Sequence, residues 1–241
     1  MSTMSWRKSD FLTRSNLRDL VLLLSFMSTV FFGITAGEVV IGFLLLAGGC
    51  FVHFLSKGVL IRNTVLTRRG IYGMVRHPYY LSNFVIDYSF CALSGNLYLL
   101  LIYPFLFFWS YQSTMAEEEA YLQSIHGDAF IRYRSDVPPI FPDHASLEGW
   151  RTLFEDFSWK RITWKECGRI LRFWFIGLFI MLLHEFAAKG LSVLTDLFHP
   201  AWHDVDTSLL VPLTIIVFMA SAVITWIANK RKSSAKSSHS C

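Results

Sequence analysis

The polar residues with chemistry to offer fall in two short runs. The first is Gly70-Ile71-Tyr72 followed by Arg76-His77-Pro78-Tyr79-Tyr80. A proline in the first turn of a helix, preceded by Arg and His, leaves backbone N–H groups at the helix start, where they can cradle an anion. Arg76 adds a bidentate donor for a carboxylate or a phosphate. The second run opens with Glu117-Glu118-Glu119, carboxylates suited to a cation, and continues through His126-Gly127, Phe130, Tyr133 and Val137-Pro138. Pro139 and Pro142 close it. Singly, each piece has a plain reading. Arg76 and His77 would serve as anchors at a membrane boundary, and a glutamate triplet as a solvated helix start. The joint spacing is the signal.

The elements that must position these residues are read from composition. Of 241 residues, 53% are hydrophobic and only 17% charged, against about a quarter charged in soluble domains. Mean hydropathy is +0.41, and aromatic residues make up 16%. These figures exclude a disordered chain, a coiled coil and a disulfide-stapled module. They point to an all-α, polytopic membrane protein of about six transmembrane helices. The expected spans are 20–37, 39–56, 79–94, 97–111, 170–188 and 209–228. Pro104 is expected to kink the fourth. Short joints, Glu38 between spans one and two and Gly95-Asn96 between three and four, make those pairs antiparallel hairpins.

Reading alternate sides of such a bundle, every Lys and Arg except Lys189 falls on one face, from Arg7, Lys8, Arg14 and Arg18 through Lys236. The positive-inside rule makes that face cytoplasmic, with both termini and the two polar runs on it. The net charge of +4 is then a topology signal, and no nucleic-acid partner is expected. No cleaved leader is expected either, because the first apolar stretch is long enough to span and no small-residue cleavage site follows. Residues 143–169 form a separate cytoplasmic segment. There Trp150, Leu153, Phe154 and Phe157 recur at i, i+3, i+4 and i+7, the pattern of an amphipathic helix on the membrane surface or on the protein's own face. The Ser/Lys tail, 233–241, reads as disordered.

Other polar groups need an account. Asp87 sits about two turns inside the third span, and an ionisable residue there is a functional candidate by default. With Tyr79 and Asn83 it is the candidate contact for a substrate head group; the alternative is a structural bond to Ser82, Ser89 or another helix. His184 and Glu185 lie toward the far side, away from the polar runs. His199, His203 and Asp204 share an outer loop with plausible ligand types, but read as surface residues. Cys50, Cys91, Cys167 and Cys241 are scattered singly, so neither a metal site nor a disulfide framework is expected.

The first run resembles the G-x-Y…R-H-P-x-Y-x-G signature of the isoprenylcysteine carboxyl methyltransferase and phospholipid methyltransferase superfamily. The second is similar to that superfamily's E-E-x-x-L-x-x-x-F-G-x-x-Y-x-x-Y-x-x-x-V-P pattern, through Glu118-Glu119, Leu122, His126-Gly127, Phe130, Tyr133 and Val137-Pro138. The resemblance covers about residues 60–142. It departs at Ser82, where glycine is usual, at His126, where phenylalanine is usual, and at Phe130, where tyrosine is usual. Residues 1–142 would therefore be the transmembrane methyltransferase core, and residues 170–241 two added spans with a tail.

The resemblance implies a helical membrane enzyme that uses S-adenosylmethionine and no metal. Carried over, Tyr72, Arg76, His77, Pro78 and Tyr80 would line one side of the cofactor pocket, and Glu118 and Glu119 would close the other. His77 and Arg76 would be the catalytic pair. Methyl transfer from a sulfonium depends on positioning more than on acid–base help. A carboxylate or phosphate acceptor needs no base, whereas an amine or thiol would call on His77, His126 or a glutamate. The expected activity is O-methylation of a lipid-linked carboxylate or phosphate, the partner being a lipid or lipid-linked substrate from the bilayer. N-methylation of a phospholipid amine and S-methylation of a thiol are the alternatives within the class. A non-enzymatic transporter or scaffold is the alternative outside it, though no related halves are visible.

Overall fold

The computed structural model describes residues 14–60, 66–191, 193 and 205–237. His199, His203, Asp204, Arg7, Lys8 and Cys241 lie outside the described residues. Helices α1 (Arg14–Phe31), α2 (Ala36–Val59), α3 (Pro78–Leu93) and α4 (Leu97–His126) come first. The short α5 (Asp128–Asp136) and α6 (His144–Leu147) follow, then the long α7 (Trp164–Lys189) and α8 (Val205–Ser237). No strand occurs among the described residues.

The helix starts are written in side chains. Thr35 caps α2, its hydroxyl accepting from the Glu38 amide while the Glu38 carboxylate accepts from the Thr35 amide at 2.7 Å. Glu38 thus belongs to the first turn of α2 and is not the joint itself. Asn96 caps α4, accepting from the amides of Tyr98 and Leu99 at 3.0 and 3.1 Å. Pro78 occupies the first turn of α3, where its missing N–H costs nothing. The joint before α4 passes through Gly95 at φ 68°, where a Cβ would stand 2.4 Å from the Gly33 carbonyl oxygen.

Among the described residues, three segments are long and apolar enough to cross a bilayer: Ala36–Val59, Trp164–Lys189 and Leu209–Arg231. This corrects the expectation of six. The 18 residues of α1 include Arg14, Arg18 and Asp19, and α3 has only 16 residues, with Asn83 and Asp87 among them. The apolar half of α4 is diluted by Tyr98, Tyr103 and Tyr111. The chain is nonetheless a polytopic helical membrane protein, and large apolar side chains point outward from several helices. Ile216 is 63% exposed and Phe105 75%, apolar surface suited to lipid. Between helices the close contacts fall on small residues, the usual solution where water supplies no driving force. A Cβ on Gly49 would lie 2.7 Å from Ile86 Cγ1, so α2 and α3 approach where only hydrogen fits.

Two further expectations are corrected. The 143–169 segment is not an amphipathic helix: it runs through α6, a 3₁₀ turn at Glu148–Thr152 and another at Trp159–Arg161. Asp156 takes φ 60°, which breaks any helix there. Leu153 and Phe157 pack on Leu55, Val59, Ile71 and Tyr72, while Arg161 donates to the Gly58 and Val59 carbonyls at 2.9 and 3.2 Å. The segment is a clasp over the end of α2. At the other extremity, α8 continues to Ser237, so much of the tail expected to be disordered is helical.

Candidate active site

The site is assembled by α4 running on for four turns beyond its apolar half. That extension carries Glu118 and Glu119 back over the start of α3, until Gly127 at φ 51° ends the helix and α5 turns underneath. The amides of Arg76 and His77 donate to the carbonyls of Pro138 and Pro139 at 2.8 and 2.9 Å. These two N–H groups, just before the helix start, are taken by the chain's own proline-rich segment.

Arg76 is similarly occupied. Its Nε and Nη2 lie 3.0 and 2.9 Å from Glu119 Oε1, and its Nη1 donates to the carbonyls of Arg134 and Val137 at 2.6 and 2.8 Å. One guanidinium thereby ties together the start of α3, the extension of α4 and the end of α5. His77 Nε2 stands 3.1 Å from the same Glu119 oxygen, and its Nδ1 is 3.8 Å from Glu118 Oε2. The hydrogen bond from His77 and the positive charge of Arg76 hold the Glu119 carboxyl below the usual carboxylate range. Tyr80 donates its hydroxyl to Glu118 Oε1 and stacks on the His77 ring, with centroids 5.5 Å apart. Tyr133 donates to the Tyr72 carbonyl at 2.7 Å, and burial pushes its phenol above the usual range.

These residues wall a cavity of about 600 Å³, within the range of small-molecule sites. Of the residues expected from sequence, Tyr72, Arg76, His77, Pro78, Tyr79, Tyr80 and Glu118 line it. Glu119 stands behind the wall as the shared partner of Arg76 and His77. Asp87 and Asn83 are not among the lining residues. Asp87 is 1% exposed and accepts from Arg18 Nε and Nη2 at 2.8 and 3.1 Å, with the Tyr103 hydroxyl at 3.3 Å. Asn83 Oδ1 accepts from the same Arg18 at 3.2 Å. His184 bonds the Leu93 carbonyl at 3.0 Å, at the opposite end of α3 from His77.

The structure adds further polar lining that no motif in the sequence marks. Lys57 at the end of α2, and Glu166 and Arg169 in the first two turns of α7, line the same cavity. Glu166 Oε2 is 3.0 Å from Arg169 Nη1 and 2.9 Å from His53 Nε2, and Glu166 Oε1 is 4.0 Å from Lys57 Nζ. A signal existed: Lys57 closes span two, and Glu166 and Arg169 open span five, all on the same expected membrane face.

Residues 20–124 match the model of the isoprenylcysteine carboxyl methyltransferase (ICMT) family. Over that segment, which is less than half of the chain, the protein is similar to this family. A protein-S-isoprenylcysteine O-methyltransferase of Schizosaccharomyces pombe is 32% identical over 96 residues. The match covers 40% of this chain and 40% of that protein's length. No solved structure matches the chain. The matched segment ends just past Glu118 and Glu119, so α5 to α8 lie outside it. The donor set fits the methyl donor that the family resemblance implies. Glu118, its side chain 51% exposed, offers a carboxylate for an ammonium or ribose hydroxyls, and Tyr72, Tyr121 and Tyr133 offer aromatic rings for a base.

Proposed function

We propose that this protein is an integral-membrane methyltransferase that moves a methyl group from S-adenosylmethionine to the carboxylate of a lipid-linked acceptor. The S-isoprenylcysteine class is favoured because the yeast relative carries that name. The observation behind the reading is that the ICMT segment delivers His77, Tyr80 and Glu118 to one cavity of about 600 Å³ at the end of a membrane bundle. The donor supplies an electrophilic methyl: an acceptor oxygen lone pair forms the new O–CH₃ bond while the S–CH₃ pair returns to sulfur, leaving a neutral thioether.

The chain's own residues then have mainly to bind, orient and exclude water. Glu118 faces the cavity and takes positive or hydroxyl groups. Arg76 and His77, both on Glu119, fix the wall against which the donor lies. A carboxylate acceptor is already deprotonated at neutral pH, so no side chain needs to serve as base. The charge distribution of the sequence supports a cytoplasmic site with both termini on that side.

The test is to incubate the detergent-purified protein with S-adenosylmethionine labelled on the methyl group and with N-acetyl-S-farnesylcysteine. Label released as methanol by mild base identifies a carboxyl methyl ester and supports the reading. Base-stable label would redirect it to amine or thiol methylation. No transfer to this acceptor or to total lipid extract, from folded protein, would contradict it.

A further inference from the structure

We propose that Lys57 and Arg169, gathered on Glu166, form the subsite that receives the acceptor's carboxylate. The inference rests on the methyl-transfer reading and joins Lys57, inside the matched family segment, to Glu166 and Arg169 in α7, outside it. Arg169 and Lys57 both lie against the Glu166 carboxylate, at 3.0 and 4.0 Å, and both line the cavity. A carboxylate entering it meets two cationic side chains, and conversion to an ester removes that attraction, favouring release of product.

The position fits an acceptor better than the donor's own carboxylate. Lys57 and Arg169 sit at the ends of α2 and α7, both long and apolar enough to cross a bilayer. Glu118, Tyr121 and His126, which also line the cavity, belong to the extension of α4 beyond its apolar half. The cavity thus has a membrane-side wall and a soluble-side wall, and a lipid-linked acceptor arrives at the former. Tyr79 joins the two: its hydroxyl accepts from Arg169 at 3.1 Å, its ring lies 4.2 Å from Lys57 Nζ, and it follows His77-Pro78 directly.

The corner is also built to stay put. His53 is fully buried and bridges Glu166 Oε2 at 2.9 Å to Ser82 Oγ at 3.3 Å. Ser82 is the position where the family pattern has glycine, so the departure supplies the hydroxyl that holds His53. Glu166 is a positioning residue, and Lys57 and Arg169 are the binding groups.

Calorimetry on the full-length protein in detergent tests the assignment, with N-acetyl-S-farnesylcysteine and its neutral primary amide as probes and S-adenosylhomocysteine as the control ligand. The wild type should bind the acid about tenfold or more tighter than the amide. Arg169→Gln and Lys57→Gln should each erode that preference while changing S-adenosylhomocysteine affinity less than about twofold, and Arg169→Lys should keep part of it. Equal binding of acid and amide by the wild type would overturn the proposal. So would a preference that survives both Gln variants, or a loss confined to S-adenosylhomocysteine, which would give the corner to the donor's carboxylate. Should the wild type prefer the acid yet bind no S-adenosylhomocysteine, the subsite stands and the methyl-transfer reading falls.

Discussion

Glu119 accepts from Arg76 at 3.0 Å and lies 3.1 Å from His77 Nε2 through the same carboxylate oxygen, joining two residues at the start of α3 to the far end of α4. The contact spans 43 residues of sequence, and its carboxylate side chain is only 12% exposed. It explains why neighbouring glutamates differ in role. Glu119 faces inward, paired with Arg76 and His77, while Glu118 lines the cavity and is half exposed.

Replacing Glu119 with Gln should lower stability by about 2 kcal/mol, the scale of a lost hydrogen bond to a charged group. Its native carboxyl titrates below the usual range, so its contribution is complete above that range and is lost as pH falls through the lowered native value. Thermal unfolding in detergent should show a wild-type melting temperature that declines on acidification below the usual carboxylate range. In Glu119→Gln the midpoint should start lower and that decline should be shallower; a parallel decline would contradict the assignment.

Glu118→Gln should behave differently. The side chain is half exposed, and losing its charge should leave the melting temperature nearly unchanged. S-adenosylmethionine affinity should fall about tenfold, the cost of one charge-assisted hydrogen bond. Unaltered affinity would remove Glu118 from the binding wall.

Asp87→Asn should act on the fold. It leaves Arg18 facing a neutral amide in a buried setting, an error of about 3 kcal/mol or more. Pairing it with Arg18→Gln should recover part of that loss in a double-mutant cycle. Turnover per folded molecule should change little. A selective loss of acceptor affinity at normal stability would restore Asp87 as a substrate contact.

Gly49→Ala tests the packing that holds α3 in place. The added methyl meets both the side chain and the backbone of Ile86, so α2 and α3 must separate, at about 1–3 kcal/mol. A melting temperature equal to wild type would mean the helices have slack there.

The Arg76-His77-Pro78 and Glu118-Glu119 runs were legible in sequence because their order and spacing are local. The joints at Gly95-Asn96 were legible because turn and cap chemistry is local too. The pairs Arg18–Asp87 and His53–Glu166 were not, since each joins residues 69 or 113 positions apart that only packing brings together. The length of α4 was hidden because its apolar run ends near Tyr111 while the helix continues through polar residues to His126. The apolar spacing at 150–157 misled because Leu153 and Phe157 face α2 from irregular turns, a register that helical periodicity imitates. The span count was overdrawn where charges and tyrosines interrupt apolar runs that were counted by length.

The most direct test of the account is calorimetric titration of S-adenosylhomocysteine into the purified, folded protein in detergent. Saturable binding near one ligand per chain, abolished in a His77→Ala variant that still melts cooperatively, is the expected result. A folded wild-type protein that gives no binding heat at any temperature tried, and no displacement of labelled S-adenosylmethionine, would contradict the methyltransferase reading at its root.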